Sequence, residues 1–330
     1  MPGVRVTHSE DHVRNPSTWE ATLLAAILLV VLIVSAGILS ALSSLSVVLV
    51  VGQLLFIVPT VLWSTFRGLP LRATLQISGI PWRTALWSAA IGLACWPVVA
   101  GTVALLERPL SRLGAYPASP VPGNLIESGA YVLALVVLAP LTEEPAYRGL
   151  MMRAWLRRGP RLGIIIPAIL FGLLHSQIAP LLPLTVFGVV LGILVWHTGS
   201  VLSSVVAHAS YNTAAVLFIV VPPLQSTQDA AFMAMGALAL PVAVVLIWRF
   251  VAQNALPLTA TPQPETTSPL WSVMALLLVL GLYVLMATLE VAMRLYPELM
   301  NLKTLRTIGD MPAQAEPPNN SMDPPPRSLP

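Results

Sequence analysis

Nine runs of about 20 mostly apolar residues, each long enough to cross a bilayer as a helix, dominate this chain. They lie at 21–42, 46–66, 84–106, 125–150, 162–178, 181–201, 203–222, 230–252 and 269–293. The expected fold class is therefore all-α, a polytopic transmembrane helix bundle of about eight to nine spans. Composition agrees: 56% of the 330 residues are apolar and only 9% charged, with a mean hydropathy of +0.81, outside the range of soluble domains. The first run is too long for a signal-peptide core and lacks a clear small-residue cleavage site, so it reads as a retained span.

The pI of about 9.3 rests on a net charge of only +3, which excludes the dense basic face that nucleic-acid binding needs. Cys95 is the one cysteine, which excludes intrachain disulfides and cysteine-rich metal sites and makes it a small packing residue. With the N-terminus in the cytoplasm, ten basic residues fall on the cytoplasmic side of the spans and six on the other. The expected location is integral in a membrane, a prokaryotic plasma membrane, with the lipid bilayer as partner.

Along the chain, residues 1–20 form a polar N-terminus, and 21–124 hold the N-terminal spans with an interfacial segment at 67–83 (Arg67, Arg72, Trp82, Arg83). Residues 125–222 form the core and 223–298 the C-terminal spans. A Pro/Thr-rich linker at 253–268 predicts that the ninth span is tethered loosely as an accessory. Residues 299–330 are a proline-rich tail whose composition predicts disorder; it contains a sequon at Asn319.

Against this background three polar clusters stand out: Glu143-Glu144-Pro145-Ala146-Tyr147-Arg148, then Phe171-Gly172-Leu173-Leu174-His175, then His208-Ala209-Ser210-Tyr211-Asn212. A charge at membrane depth costs roughly 2.5–3.5 kcal/mol on insertion scales and calls for a reason. Four-residue spacing puts Glu144 with Arg148, Phe171 with His175, and His208 with Asn212 on one helix face each. At ~1.5 Å per residue, Glu143 lies ~15 Å from Arg153, His175 ~20 Å from Arg161 and His208 ~12 Å from Ser200. The three stripes are at comparable depth and can share one cavity.

Glu144 and Arg148 neutralise each other. Glu143 points about 100° away and needs a partner from another helix or from water, with His175 and His208 as candidates. Pro140 and Pro145 donate no backbone hydrogen bond, so Val136 and Leu141 are expected to lose their helical donors and the helix to bend beside the glutamates.

Other polar residues have plainer readings. His197 beside Trp196 reads as an interfacial anchor, and Arg153, Arg157, Arg158 and Arg161 as headgroup contacts. Glu127 and Glu290 sit near span ends within reach of water. Gly188-x-x-x-Gly192 reads as a close-packing face inside the chain.

Glu-Glu-x-x-x-Arg, Phe-x-x-x-His and His-x-x-x-Asn, in that order on separate apolar segments, resemble the CPBP intramembrane proteases, the family of the CAAX-prenyl endopeptidase and of bacteriocin-processing and immunity proteins. Gly149 and Gly199-Ser200-Val201 fit the same pattern. The resemblance covers roughly residues 125–222; Pro145, the ninth span and the tail depart from it.

It implies hydrolysis of a peptide bond of a membrane-embedded or membrane-associated peptide or protein. Glu143 would activate a water that His175 helps to hold, His208 and Asn212 would stabilise the oxyanion, and Glu144, Arg148 and Phe171 would position them. No metal is favoured; were zinc used, Glu143, His175 and His208 would be its ligands. The rivals are a catalytically silent scaffold or immunity protein and an ion- or proton-coupled transporter. No inverted repeat supports the latter.

Overall fold

The computed structural model describes residues 16–69, 71–115, 121–221, 224, 229–254 and 269–296. The polar residues before 16, the 255–268 part of the linker, and the proline-rich tail with its Asn319 sequon lie outside the described residues. The described chain is helical: α1 (Thr18–Leu42), α2 (Leu45–Phe66), a short α3 (Leu71–Thr74), α4 (Trp82–Leu110), α5 (Leu125–Leu156), α6 (Pro160–Leu174), α7 (Ile178–Thr198), α8 (Val201–Val220), α9 (Asp229–Gln253) and α10 (Pro269–Leu295).

Eight of these helices are long and apolar enough to cross a membrane, and the protein is an integral membrane protein. Large apolar side chains such as Phe66, Leu105, Leu238 and Trp248 point outward, as expected where the solvent is lipid.

The fifth expected span is the exception. The run at 162–178 forms α6, which has 15 residues, or ~22 Å at 1.5 Å per residue against a hydrocarbon core of ~30 Å. Gly159-Pro160 starts it, and the polar His175-Ser176-Gln177 turn stops it before a full span is built.

Polar contacts define the two ends of the bundle. At one end Arg67, just past α2, pairs with Glu20 of α1 at 3.1 Å. There Trp155 of α5 donates to Thr22 at 3.2 Å, and Thr18 bonds Ser272 of α10 at 2.6 Å. At the other end Arg294 of α10 reaches Glu107 and the Gly114 carbonyl after α4.

The 67–83 segment is not merely laid on the surface. Leu69 and Leu75 are buried, and a Cβ on Gly149 would strike the Leu75 backbone. The segment also anchors α8: Val201 N–H donates to Gln76 O at 3.1 Å and Ser200 Oγ to Ser78 O at 2.5 Å. Gly199, left-handed at φ 68°, is the turn that delivers Ser200 there.

The ninth apolar run, α10, is not a loose accessory. Val279 and Tyr283 belong to the main buried cluster together with residues of α1 and α6. Gly188 and Gly192 do form a close-packing face within the chain, Gly188 against Ala168 and Gly192 against Ile164 of α6.

Candidate active site

The site is built on a helix whose hydrogen-bond register is altered twice. Within α5 the turns at Val132–Leu138 and Pro145–Met151 are π-helical, a widening that often marks functional sites. Ala139 N–H reaches back five residues to Ala134 O. One residue further on, that register sets Leu135 O opposite Pro140, which has no N–H to give. The Asn212 amide of α8 supplies the missing donor, Nδ2 to Leu135 O at 2.6 Å. The carbonyl freed by the proline is therefore that of Leu135, one residue before the expected Val136, because the turn is π and not α.

Glu144 and Arg148 pair as the spacing required, at 3.1 Å with both side chains buried. Two further contacts lock the pair in place. Arg148 Nη2 donates to Gly188 O of α7 at 3.2 Å, and its guanidinium lies 4.3 Å from the centre of the Phe171 ring. His208 Nδ1 donates to the same Glu144 Oε1 at 2.8 Å, since an ionised carboxylate only accepts. His208 is thus bound to Glu144 and not to Glu143.

Glu143, 7% exposed, finds its partner on α2, where Gln53 Nε2 lies 3.5 Å from Oε1, a long contact. Gln53 Oε1 in turn accepts from the Thr142 hydroxyl at 3.2 Å. Neither Gln53 nor Thr142 was singled out in the sequence, although Gln53 is an isolated amide in the middle of an apolar run.

His175 caps the end of α6 with its ring open to the cavity described next. Its Nδ1–H donates to Phe171 O at 3.0 Å, which leaves Nε2 as the nitrogen available for water or substrate. Phe171 is the packing hub, edge-on to Tyr147, His175 and His208 with ring centres 5.7, 5.1 and 5.7 Å apart.

Glu143, His175, His208 and Asn212 all border one cavity of about 490 Å³, whose remaining wall is mostly apolar, with Leu32 of α1, Phe56 of α2 and Met286 of α10. The three motifs therefore converge, with Glu144, Arg148 and Phe171 behind them. Among the described residues no group of three or more His, Cys, Asp and Glu side chains is arranged to hold a metal ion. His197 lies elsewhere, its Nδ1–H bonded to Asn254 O at 2.8 Å. Glu290, expected to reach water, is 2% exposed, because Arg294 and the start of α7 enclose it.

Residues 126–214 match the family model described as type II CAAX prenyl endopeptidase Rce1-like. The matched segment holds every motif residue of the cavity and stops before α9 and α10. No curated protein and no solved structure matches the chain. Over residues 126–214, this chain is thus similar to the CAAX-type proteases that the model describes.

Proposed function

We propose that the protein is an intramembrane endopeptidase that hydrolyses a peptide bond in or near the membrane, of the glutamate type. The observation that carries this reading is the gathering of Glu143, His175, His208 and Asn212 on one largely apolar cavity. Glu143 takes a proton from a water held between it and His175 Nε2, and the water oxygen adds to the scissile carbonyl carbon. The resulting oxyanion receives N–H bonds from Asn212 and His208. Asn212 has a second amide N–H besides the one bound to Leu135 O. His208 donates from Nε2 while Nδ1 holds Glu144, as a doubly protonated ring.

With that ring charged, Glu143 and Glu144 are balanced by Arg148 and His208, so the buried site is neutral overall. On collapse of the intermediate the C–N bond breaks, and Glu143 returns its proton to the leaving nitrogen. Each oxyanion donor contributes roughly 3–4 kcal/mol. The apolar wall suits a substrate segment that enters from lipid. The site works in a plasma membrane with the N-terminus on the cytoplasmic side, the end where Arg67, Arg153 and Arg161 lie.

The test is cleavage of a quenched fluorescent peptide library by the purified protein in detergent, with Glu143→Ala and His208→Ala beside the wild type, with and without a zinc chelator. Cleavage lost in both variants and indifferent to chelation supports the reading. Loss on chelation with recovery on added zinc replaces it with a metalloprotease. Equal cleavage by all three proteins removes these residues from the mechanism, and no cleavage by any favours a silent scaffold.

A further inference from the structure

The connection that carries His175 is shaped by a helix outside the family-matched segment. Only His175, Ser176 and Gln177 join α6 to α7, and Ser176 is left-handed at φ 56°, a conformation that a side-chain-bearing residue holds only when its surroundings impose it. The first N–H of α7 has no cap from Gln177. Instead, Ile178 N–H donates to Glu290 Oε2 of α10 at 2.8 Å. Two turns earlier on α10, Tyr283 OH donates to Gln177 O at 3.1 Å. The turn is thus clamped on both sides of the Gln177–Ile178 peptide.

The clamp is itself fixed. Glu290 Oε1 accepts from Arg294 Nε at 3.1 Å and Nη2 at 2.7 Å. The same guanidinium forms a fork with Glu107 of α4, at 2.5 and 3.0 Å, and also donates to Gly114 O at 3.3 Å. Two carboxylates, one guanidinium and the positive end of α7 form a chain from α4 through α10 to the turn. That a charged network is buried here and ends on a catalytic-site turn, and not on another pair of helix surfaces, is what calls for a role.

We propose that Glu290, held by Arg294 and Glu107, is a positioning residue: by fixing the Ser176 turn it holds the His175 ring so that Nε2 faces the cavity while Nδ1 stays on Phe171 O. The inference rests on the proteolytic reading of that cavity, and the experiment separates the two.

Full-length wild type, Glu143→Ala, Glu290→Ala and Glu290→Gln are compared in detergent by kcat and KM for peptide cleavage. Amide hydrogen exchange of residues 174–180 is followed in the same preparations. Glu290→Ala is expected to exchange about 10-fold faster in that segment alone and to lose about 10- to 100-fold in kcat with KM unchanged. Glu290→Gln, which keeps an oxygen to accept from Ile178 N–H, recovers part of both.

Wild-type exchange and kcat in Glu290→Ala overturn the proposal while cleavage by the wild type keeps the protease reading. A fall in cleavage that only tracks the folded fraction, with exchange raised throughout the bundle, also overturns it. If the wild type does not cleave, the protease reading fails, and the exchange of 174–180 alone decides whether Glu290 holds the turn. Should Glu290→Ala not fold, Tyr283→Phe, which removes only the bond to Gln177 O, carries the same readouts.

Discussion

Two buried ion pairs in this protein have the same local design and different work. Glu144–Arg148 in α5 and Glu290–Arg294 in α10 are both i,i+4 pairs, with carboxylates 0% and 2% exposed. In each, the helix brings the charges together and each cancels the other's cost of burial. They differ in what else is held. The first pair grips His208, the Gly188 carbonyl and the face of Phe171, all of which stay inside the site. The second grips Glu107, itself 30% exposed, and the amide of Ile178, and so ties the end of one helix to a turn of another. The pair is a neutral module, and its role is set by its third partner.

The largest effect is expected where neither pair is touched. Glu143→Ala removes the one cavity carboxylate that has no cation of its own, and cleavage should fall by about 10²- to 10⁴-fold with the unfolding midpoint in detergent unchanged. A parallel loss of stability would mean that Glu143 belongs structurally to the first pair. Next comes Arg148→Leu, which leaves Glu143 and Glu144 with His208 as the one cation of the site. Breaking a buried pair from one side costs about 3–5 kcal/mol, read from unfolding titrations in mixed micelles, with activity lost along with the fold.

The comparison is sharpened by Arg294→Leu. Glu107 can turn to water, and Glu290 keeps the Ile178 N–H, so the cost in stability should be smaller, about 1–3 kcal/mol. The activity should fall by more than the folded fraction does. If Arg294→Leu is as destabilising as Arg148→Leu, the difference in third partners carries no energy and the two pairs are equivalent.

The legibility of these features follows their range along the chain. Glu144 with Arg148 was readable because a helix fixes i,i+4 geometry locally, and the shared depth of Glu143, His175 and His208 followed from 1.5 Å per residue. Glu290 and Arg294 have the same spacing, yet Glu290 alone reads as within reach of water, because its enclosure depends on Glu107 and Ile178, far away in sequence. The shift of the free carbonyl from Val136 to Leu135 could not be read either, since proline signals a missing donor but not the i,i+5 register in which it will be missing. Likewise α6 is apolar for long enough to look like a span. Only the turn clamped at Ser176 shows that its helix ends at Leu174.

The smallest effect is expected at Gln53, which lies between the two kinds of residue. It carries no charge, and its contact with Glu143 is long at 3.5 Å, so it cannot stabilise a buried carboxylate as Arg148 does for Glu144. What it can do is limit where the carboxylate points, because its other end is tied to Thr142 at 3.2 Å on the same helix as Glu143. Gln53→Leu keeps the bulk and removes both bonds; a neutral hydrogen bond contributes about 0.5–1.5 kcal/mol net, or about 2- to 10-fold in kcat. Stability should stay near wild type, since Thr142 retains Leu138 O at 2.9 Å. If Gln53→Leu instead abolishes cleavage as fully as Glu143→Ala, then α2 supplies a group to the reaction itself, and a neutral amide from outside the motif segment outweighs both ion pairs in the chemistry.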